Sequence, residues 1–160
     1  MTRQIVVGLV FFTIVASAQP ASEPPFTVTQ GTFFAVSVQD LDASIRWYTE
    51  RFGLTLNSRL ASGDVSVALL SGHGLEVELL SHRDSVARPF PFDMDAALRT
   101  RGLVKVGFRV TDFDRTVAAL RLRGVEIVLG PFPPRVDQRA NVLIRDGDQN
   151  LLQLFGDFAP

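Results

Sequence analysis

One pattern occurs twice in this chain, and it limits the fold more than any other feature. Phe33–Gly53 reads FFAVSVQDLDASIRWYTERFG, and Lys105–Gly124 reads KVGFRVTDFDRTVAALRLRG. Each is an alternating β-rich run, then an aspartate suited to cap a helix, then an amphipathic helix closed by glycine. At an offset of 72 residues Val38 matches Val110, Asp40 matches Asp112, Asp42 matches Asp114, Ser44 meets Thr116 and Ile45 meets Val117. Two copies at this period are too few for a solenoid, so a pseudo-twofold pair of similar units is expected.

The segments around the repeat complete each unit. In the first helix Leu41, Ile45, Tyr48 and Phe52 share a face, and in the second Phe113, Val117 and Leu120 do. Strands are expected at 54–60, 64–70 and 75–80, with turns at Ala61-Ser62-Gly63 and at Ser71 to Gly74. The second unit should have strands at 103–110 and 125–129, a break at Gly130-Pro131-Phe132-Pro133-Pro134, and a closing hairpin of 140–145 and 150–155 around Asp146-Gly147-Asp148-Gln149. The expected fold class is α+β: two βαβββ modules, about 31–81 and 103–157, forming a curved mixed sheet around a cleft. Residues 82–102 join them, with one helical turn near Met94–Leu98.

The first thirty residues read differently. Arg3, the apolar run Ile5–Val15 and the small residues Ala16-Ser17-Ala18 form the three-part pattern of a secretory signal, with Gln19 as the first mature residue. The alternative is an uncleaved hydrophobic anchor, although the run is shorter than the ~20 residues that span a bilayer. Residues 1–18 are thus expected to be a signal peptide and 19–30 a Pro- and Ser-rich linker. The protein is then exported, periplasmic or secreted, with no membrane attachment after cleavage. Cleavage removes one of 16 basic residues and none of the 17 acidic ones, leaving a formal charge of −2. That balance gives no footprint for nucleic acid. With no cysteine in the chain, disulfides and thiolate metal sites are excluded.

Alternation assigns chemistry to strand faces. Phe34, Val36 and Val38 should meet the helix, as should Val106, Phe108 and Val110. The opposite face carries Phe33, Ser37, Glu76, Glu78, Lys105, Arg109, Gln153, Leu151 and Phe155. A few polar groups among apolar walls is the usual make-up of a small-ligand pocket. The competing reading is a sheet face whose charges meet water.

The paired units and the closing RDGDQNLLQLFG resemble the vicinal oxygen chelate superfamily, which includes glyoxalase I, extradiol dioxygenases and the fosfomycin and bleomycin resistance proteins. The resemblance covers Gly31 to about Asp157. It implies a curved sheet around a cleft and, as in many members, a homodimer. Enzymes of that superfamily hold one divalent metal with four side chains, typically His, Gln or Glu. By position these fall on Phe33, Glu78, Lys105 and Gln153. Phe33 has no donor atom, a protonated lysine only donates, and Gln153 offers a neutral carbonyl. The expectation is therefore no metal and no other cofactor, no catalytic residue, and a Lys105–Glu78 pair in place of the cation. The ligand-binding candidates are Phe33, Ser37, Glu76, Glu78, Lys105, Arg109, Gln153 and Phe155.

Three functions remain open from sequence. The preferred one is a metal-independent small-molecule binding protein. An enzyme of the lyase, isomerase or dioxygenase type with a non-standard metal site is the alternative, and an accessory domain with a vestigial cleft is the third. His73 and His82 read as loop histidines, with a rearranged metal site involving Glu76 or Glu78 as the other reading. Four arginines around Phe90 and Phe92 make 82–102 either a solvated loop or a flap over the cleft.

Overall fold

The computed structural model describes residues 31–87, 94–99 and 101–160. The expected signal peptide and linker, and the middle of the 82–102 connection, lie outside the described residues. The first module runs β1 (Thr32–Ser37), α1 (Leu41–Phe52), β2 (Thr55–Ser62), β3 (Val65–Gly72) and β4 (Leu75–His82). A short helix, α2 (Met94–Arg99), occupies the connection. The second module runs β5 (Val106–Arg109), α3 (Phe113–Leu122), β6 (Ile127–Phe132), β7 (Asn141–Arg145) and β8 (Leu151–Phe155).

Each module forms its own four-stranded sheet, ordered β1-β4-β3-β2 and β5-β8-β7-β6. The first pair in each order is parallel and the others are antiparallel. The expected pair of βαβββ modules is thus present, as two four-stranded mixed sheets, each hydrogen-bonded within itself.

Both long helices start as their sequences dictate. Asp40 accepts the Ala43 N–H at 3.0 Å, and Asp112 accepts the Arg115 N–H at 3.0 Å. Each cap satisfies an amide that the helix itself leaves without a partner, worth about 1 kcal/mol. Gly53 ends α1 with φ +70°, a conformation that costs glycine nothing. Leu41 and Tyr48 on α1, and Val117 and Leu120 on α3, are buried. They meet Phe34, Val38, Val77 and Leu79 of one sheet and Val142, Ile144, Leu152 and Leu154 of the other in a single core. Rings cross the module boundary as well, Phe52 standing edge-on to Phe108 at 6.1 Å. The helix-side faces of both sheets therefore share this core, and the opposite faces point away from it.

Most strand ends fall within two residues of expectation: β2 and β3 run on through Ser62 and Gly72, which shortens the expected turns, and β4 runs on to His82. Two boundaries differ by three residues. β5 begins at Val106, not Leu103, because pairing with β8 starts at Val106 opposite Leu152. Leu103 is left exposed. β6 continues to Phe132 through the Gly130-Pro131 break, with Phe132 still paired to Asn141 across an irregular register. Proline is tolerated there because β6 is an edge strand and has only one neighbour to satisfy.

Candidate functional site

Strand register divides the eight candidate residues into two groups. On the first sheet Phe33 lies beside Glu76 and Ala35 beside Glu78, with Ser37 beside Leu80. Phe33 is 56% exposed, Ser37 is exposed, and both glutamates are half-buried. On the second sheet Gly107 lies beside Gln153 and Arg109 beside Phe155. Arg109 is exposed, as is Lys105 just before β5, whereas Gln153 and Phe155 are half-buried. The alternation is as read: these side chains share the faces opposite the helices.

Two cavities lie along the seam between the modules. One, of about 670 Å³, brings Ser37 and Lys105 together with Asp148 and with both ends of the 82–102 connection, Val86 and Leu103 among them. The other, of about 740 Å³, includes Arg109. Neither contains Glu78 or Gln153. The expected Lys105–Glu78 ion pair is not formed; the ion pairs among the described residues involve other groups. Glu78 belongs to the first module and Lys105 to the second, and an exposed ammonium keeps its hydration by staying apart.

Gln153 is held by neighbours that sequence reading did not single out. Asn141 Nδ2 donates to the Arg139 carbonyl at 3.0 Å, which orients the Asn141 amide. Gln153 Nε2 then donates to Asn141 Oδ1, also at 3.0 Å. This relay leaves Gln153 Oε1 as the free end, and that atom is buried with no hydrogen-bond partner. A buried acceptor without a donor costs about 1–3 kcal/mol. The signal available in sequence was the alternation of β7, which puts Asn141 and Leu143 opposite Phe155 and Gln153.

A second polar centre joins the modules. The turn between β7 and β8 is built around Asp146, whose Oδ1 accepts the N–H groups of Asp148 (3.0 Å) and Asn150 (2.7 Å). Its Oδ2 accepts the Tyr48 hydroxyl at 2.8 Å and Asn150 Nδ2 at 2.9 Å. Burial pushes the Asp146 carboxyl above its ordinary range, and the hydrogen bonds from Asn150, Tyr48 and Asp148 pull the other way. Burial, and then the charge of Asp146, push the Tyr48 hydroxyl well up, so it stays a donor. Aspartate and tyrosine stand 98 positions apart. Only the RDGDQN turn hinted at this joint.

Of the histidines, His82 is exposed and accepts the Asp84 N–H through Nδ1 at 3.0 Å. His73 is exposed at φ +54° in the two-residue turn between β3 and β4. Among the described residues no three His, Cys, Asp or Glu side chains come together as a metal site.

A family model described as the Glyoxalase/Bleomycin resistance protein/Dioxygenase superfamily matches residues 32–154. The chain belongs to this superfamily. Several solved structures share its fold. A glyoxylase/bleomycin resistance protein/dioxygenase domain from Frankia sp. EAN1pec is 22% identical, with a TM-score of 0.64 over 82% of this chain and 92% of that one. A glyoxalase family protein from Bacillus cereus is 20% identical, with a TM-score of 0.64 over 86% and 100%. TnmS3, an antibiotic binding protein from Streptomyces sp. CB03234, is 20% identical, with a TM-score of 0.56 over 82% and 98%. No curated protein matches the chain.

The metal implied by enzymes of the superfamily can be tested against the donors here. Glu78 supplies the one carboxylate and Gln153 a neutral carbonyl oxygen. Phe33 supplies nothing, and Lys105 carries its own positive charge. This set does not fit a divalent cation, which needs three or more converging donors.

Proposed function

We propose that this superfamily member is an exported, metal-independent small-molecule binding protein whose ligand is held on the sheet faces opposite the helices. The observation that carries the reading is the orphaned Oε1 of Gln153. The Asn141 relay fixes the orientation of its amide, so a ligand that displaces the side chains covering this buried carbonyl meets an acceptor already oriented for an N–H or O–H. Phe33, Phe155 and the exposed Leu129 and Phe132 provide apolar surface on the same faces. Glu76, Glu78, Lys105 and Arg109 supply charge at their borders. TnmS3, an antibiotic binding protein, is the precedent on this fold. A homodimer accompanies this reading, because pairing two chains would cover the exposed apolar residues.

Thermal-shift screening of a panel of antibiotics, in metal-free buffer, tests the proposal. A binder at 100 times its Kd adds about 2.7 kcal/mol of stability. The expected result is at least one compound that raises Tm in the wild type and does so much less in Gln153→Leu. A stoichiometric divalent metal in the purified protein, lost in Glu78→Ala, would overturn metal independence. Export is checked by N-terminal sequencing, which should begin near Gln19.

A further inference from the structure

The two halves of the molecule treat equivalent helix faces differently. On α1 the face is filled by the β7–β8 turn. Asp148 Oδ1 accepts the Gln39 N–H at 2.9 Å, and its Oδ2 accepts the Ser44 hydroxyl at 2.7 Å. Asp146 takes the Tyr48 hydroxyl, and Gly147 lies against the Trp47 indole. At the 72-residue offset these four positions become Thr111, Thr116, Leu120 and Ala119. The turn that should fill the equivalent place on α3 is only His73-Gly74, whereas five residues, 146–150, separate β7 from β8. It brings no carboxylate. The place is instead the 740 Å³ cavity, lined by Thr111, Thr116, Ala119 and Leu120 on one side and by His73 and Gly74 on the other.

The charge lining this cavity is cationic. Arg51, Arg109, Arg115 and Arg123 line it against a single acid, Asp112, whose Oδ1 is engaged in capping α3. None of the four arginines makes an ion pair among the described residues. The Thr111 N–H, the counterpart of the amide that Asp148 binds, has no partner among the described residues either.

We propose that this cavity binds a small organic anion carrying two or more carboxylates, which takes on α3 the place that Asp146 and Asp148 take on α1. The chain itself shows the ligand chemistry: in the filled half, the groups seated on this face are two carboxylates with one residue between them. Arginine recognises carboxylate through paired N–H groups in a planar fork. Leu120 and Ala119 give the cavity an apolar floor where Tyr48 and Trp47 stand in the other half, which favours a ligand with a hydrocarbon skeleton over an inorganic anion. The volume also lies within the usual range of about 300–1,000 Å³ for small-molecule sites. The site is separate from the Gln153 region and does not depend on it.

Isothermal titration with tricarballylate and, at matched ionic strength, with inorganic phosphate tests the proposal. The variants are Arg115→Ala/Arg123→Ala, at two exposed positions, and Gln153→Leu as the control for the other site. The expected result is saturable 1:1 binding of tricarballylate, about tenfold or more weaker in the arginine variant and unchanged in Gln153→Leu. Thermal melts of each variant should confirm that it folds; if the double variant does not, Thr116→Val replaces it and should also weaken binding. Equal affinity in wild type and variant, phosphate binding as tight as tricarballylate, or no heat up to about 10 mM would each overturn the proposal.

Discussion

The β7–β8 turn seated on α1 and the β3–β4 turn facing α3 occupy equivalent places in two copies of one motif. They have opposite consequences. The longer turn carries Asp146, Gly147 and Asp148 into the helix face, buries Asp146 and ties the modules together through Tyr48 and Ser44. The shorter one stops at His73-Gly74 and leaves a cavity whose four arginines make no ion pair among the described residues. A difference of a few residues in a hairpin thus turns one copy of a surface into a structural joint and leaves a cavity at the other. Shared fold and divergent use of its sites is what a superfamily as varied as this one would lead one to expect.

The largest test of that contrast is removal of the joint. Asp146→Ala strands four donors, three of them from the turn and one from buried Tyr48. A loss of about 3–4 kcal/mol in chemical denaturation is expected. A loss below about 1 kcal/mol would mean that water replaces the carboxylate and that the joint is not structural.

Tyr48→Phe is the intermediate case. It deletes one hydrogen bond to a charged acceptor and should cost about 2 kcal/mol. It also has a signature in pH. The Asp146 carboxyl is raised by burial, so the folded state holds its proton more tightly than the unfolded chain does. The stability from this group is therefore fully present below the ordinary carboxylate pKa and is lost as pH rises through the raised value. Tyr48 is one of the groups that lower it, so Tyr48→Phe should raise it further and widen that window. Denaturation midpoints across the acid range, compared with wild type, check the sign.

The smallest and sharpest test compares matched positions. Ser44→Ala removes a donor to Asp148 and should cost about 1–2 kcal/mol. Thr116→Ala, its counterpart on α3, removes only a back-bond to the Asp112 carbonyl and should stay within about 0.5 kcal/mol. Equal costs would erase the distinction between a filled face and an open one.

Local features of this protein were legible in its residues. Asp40 and Asp112 announced the helix starts, Gly53 announced an end, and alternation in β1 and β4 sorted core from open face, whereas in β8 Leu151 is buried although alternation puts it on the open face. Those features depend on sequence neighbours within a turn of helix or a step of strand, where sterics and hydrogen bonding act locally. The doubled unit followed from the repeat for the same reason, and so did the family.

What tertiary structure alone decided is how the two units meet. Phe33, Glu76 and Glu78 share one sheet while Gln153 and Phe155 share the other, and nothing in their spacing reports the distance between sheets. The Tyr48–Asp146 bond, the Asn141–Gln153 relay and the cavity beside α3 each depend on segments brought together from far along the chain. Their geometry is set by how the helix faces pack into the common core, and by which turn is long enough to reach across it. Packing of that kind is a property of the whole assembled surface, and no stretch of the sequence contains it.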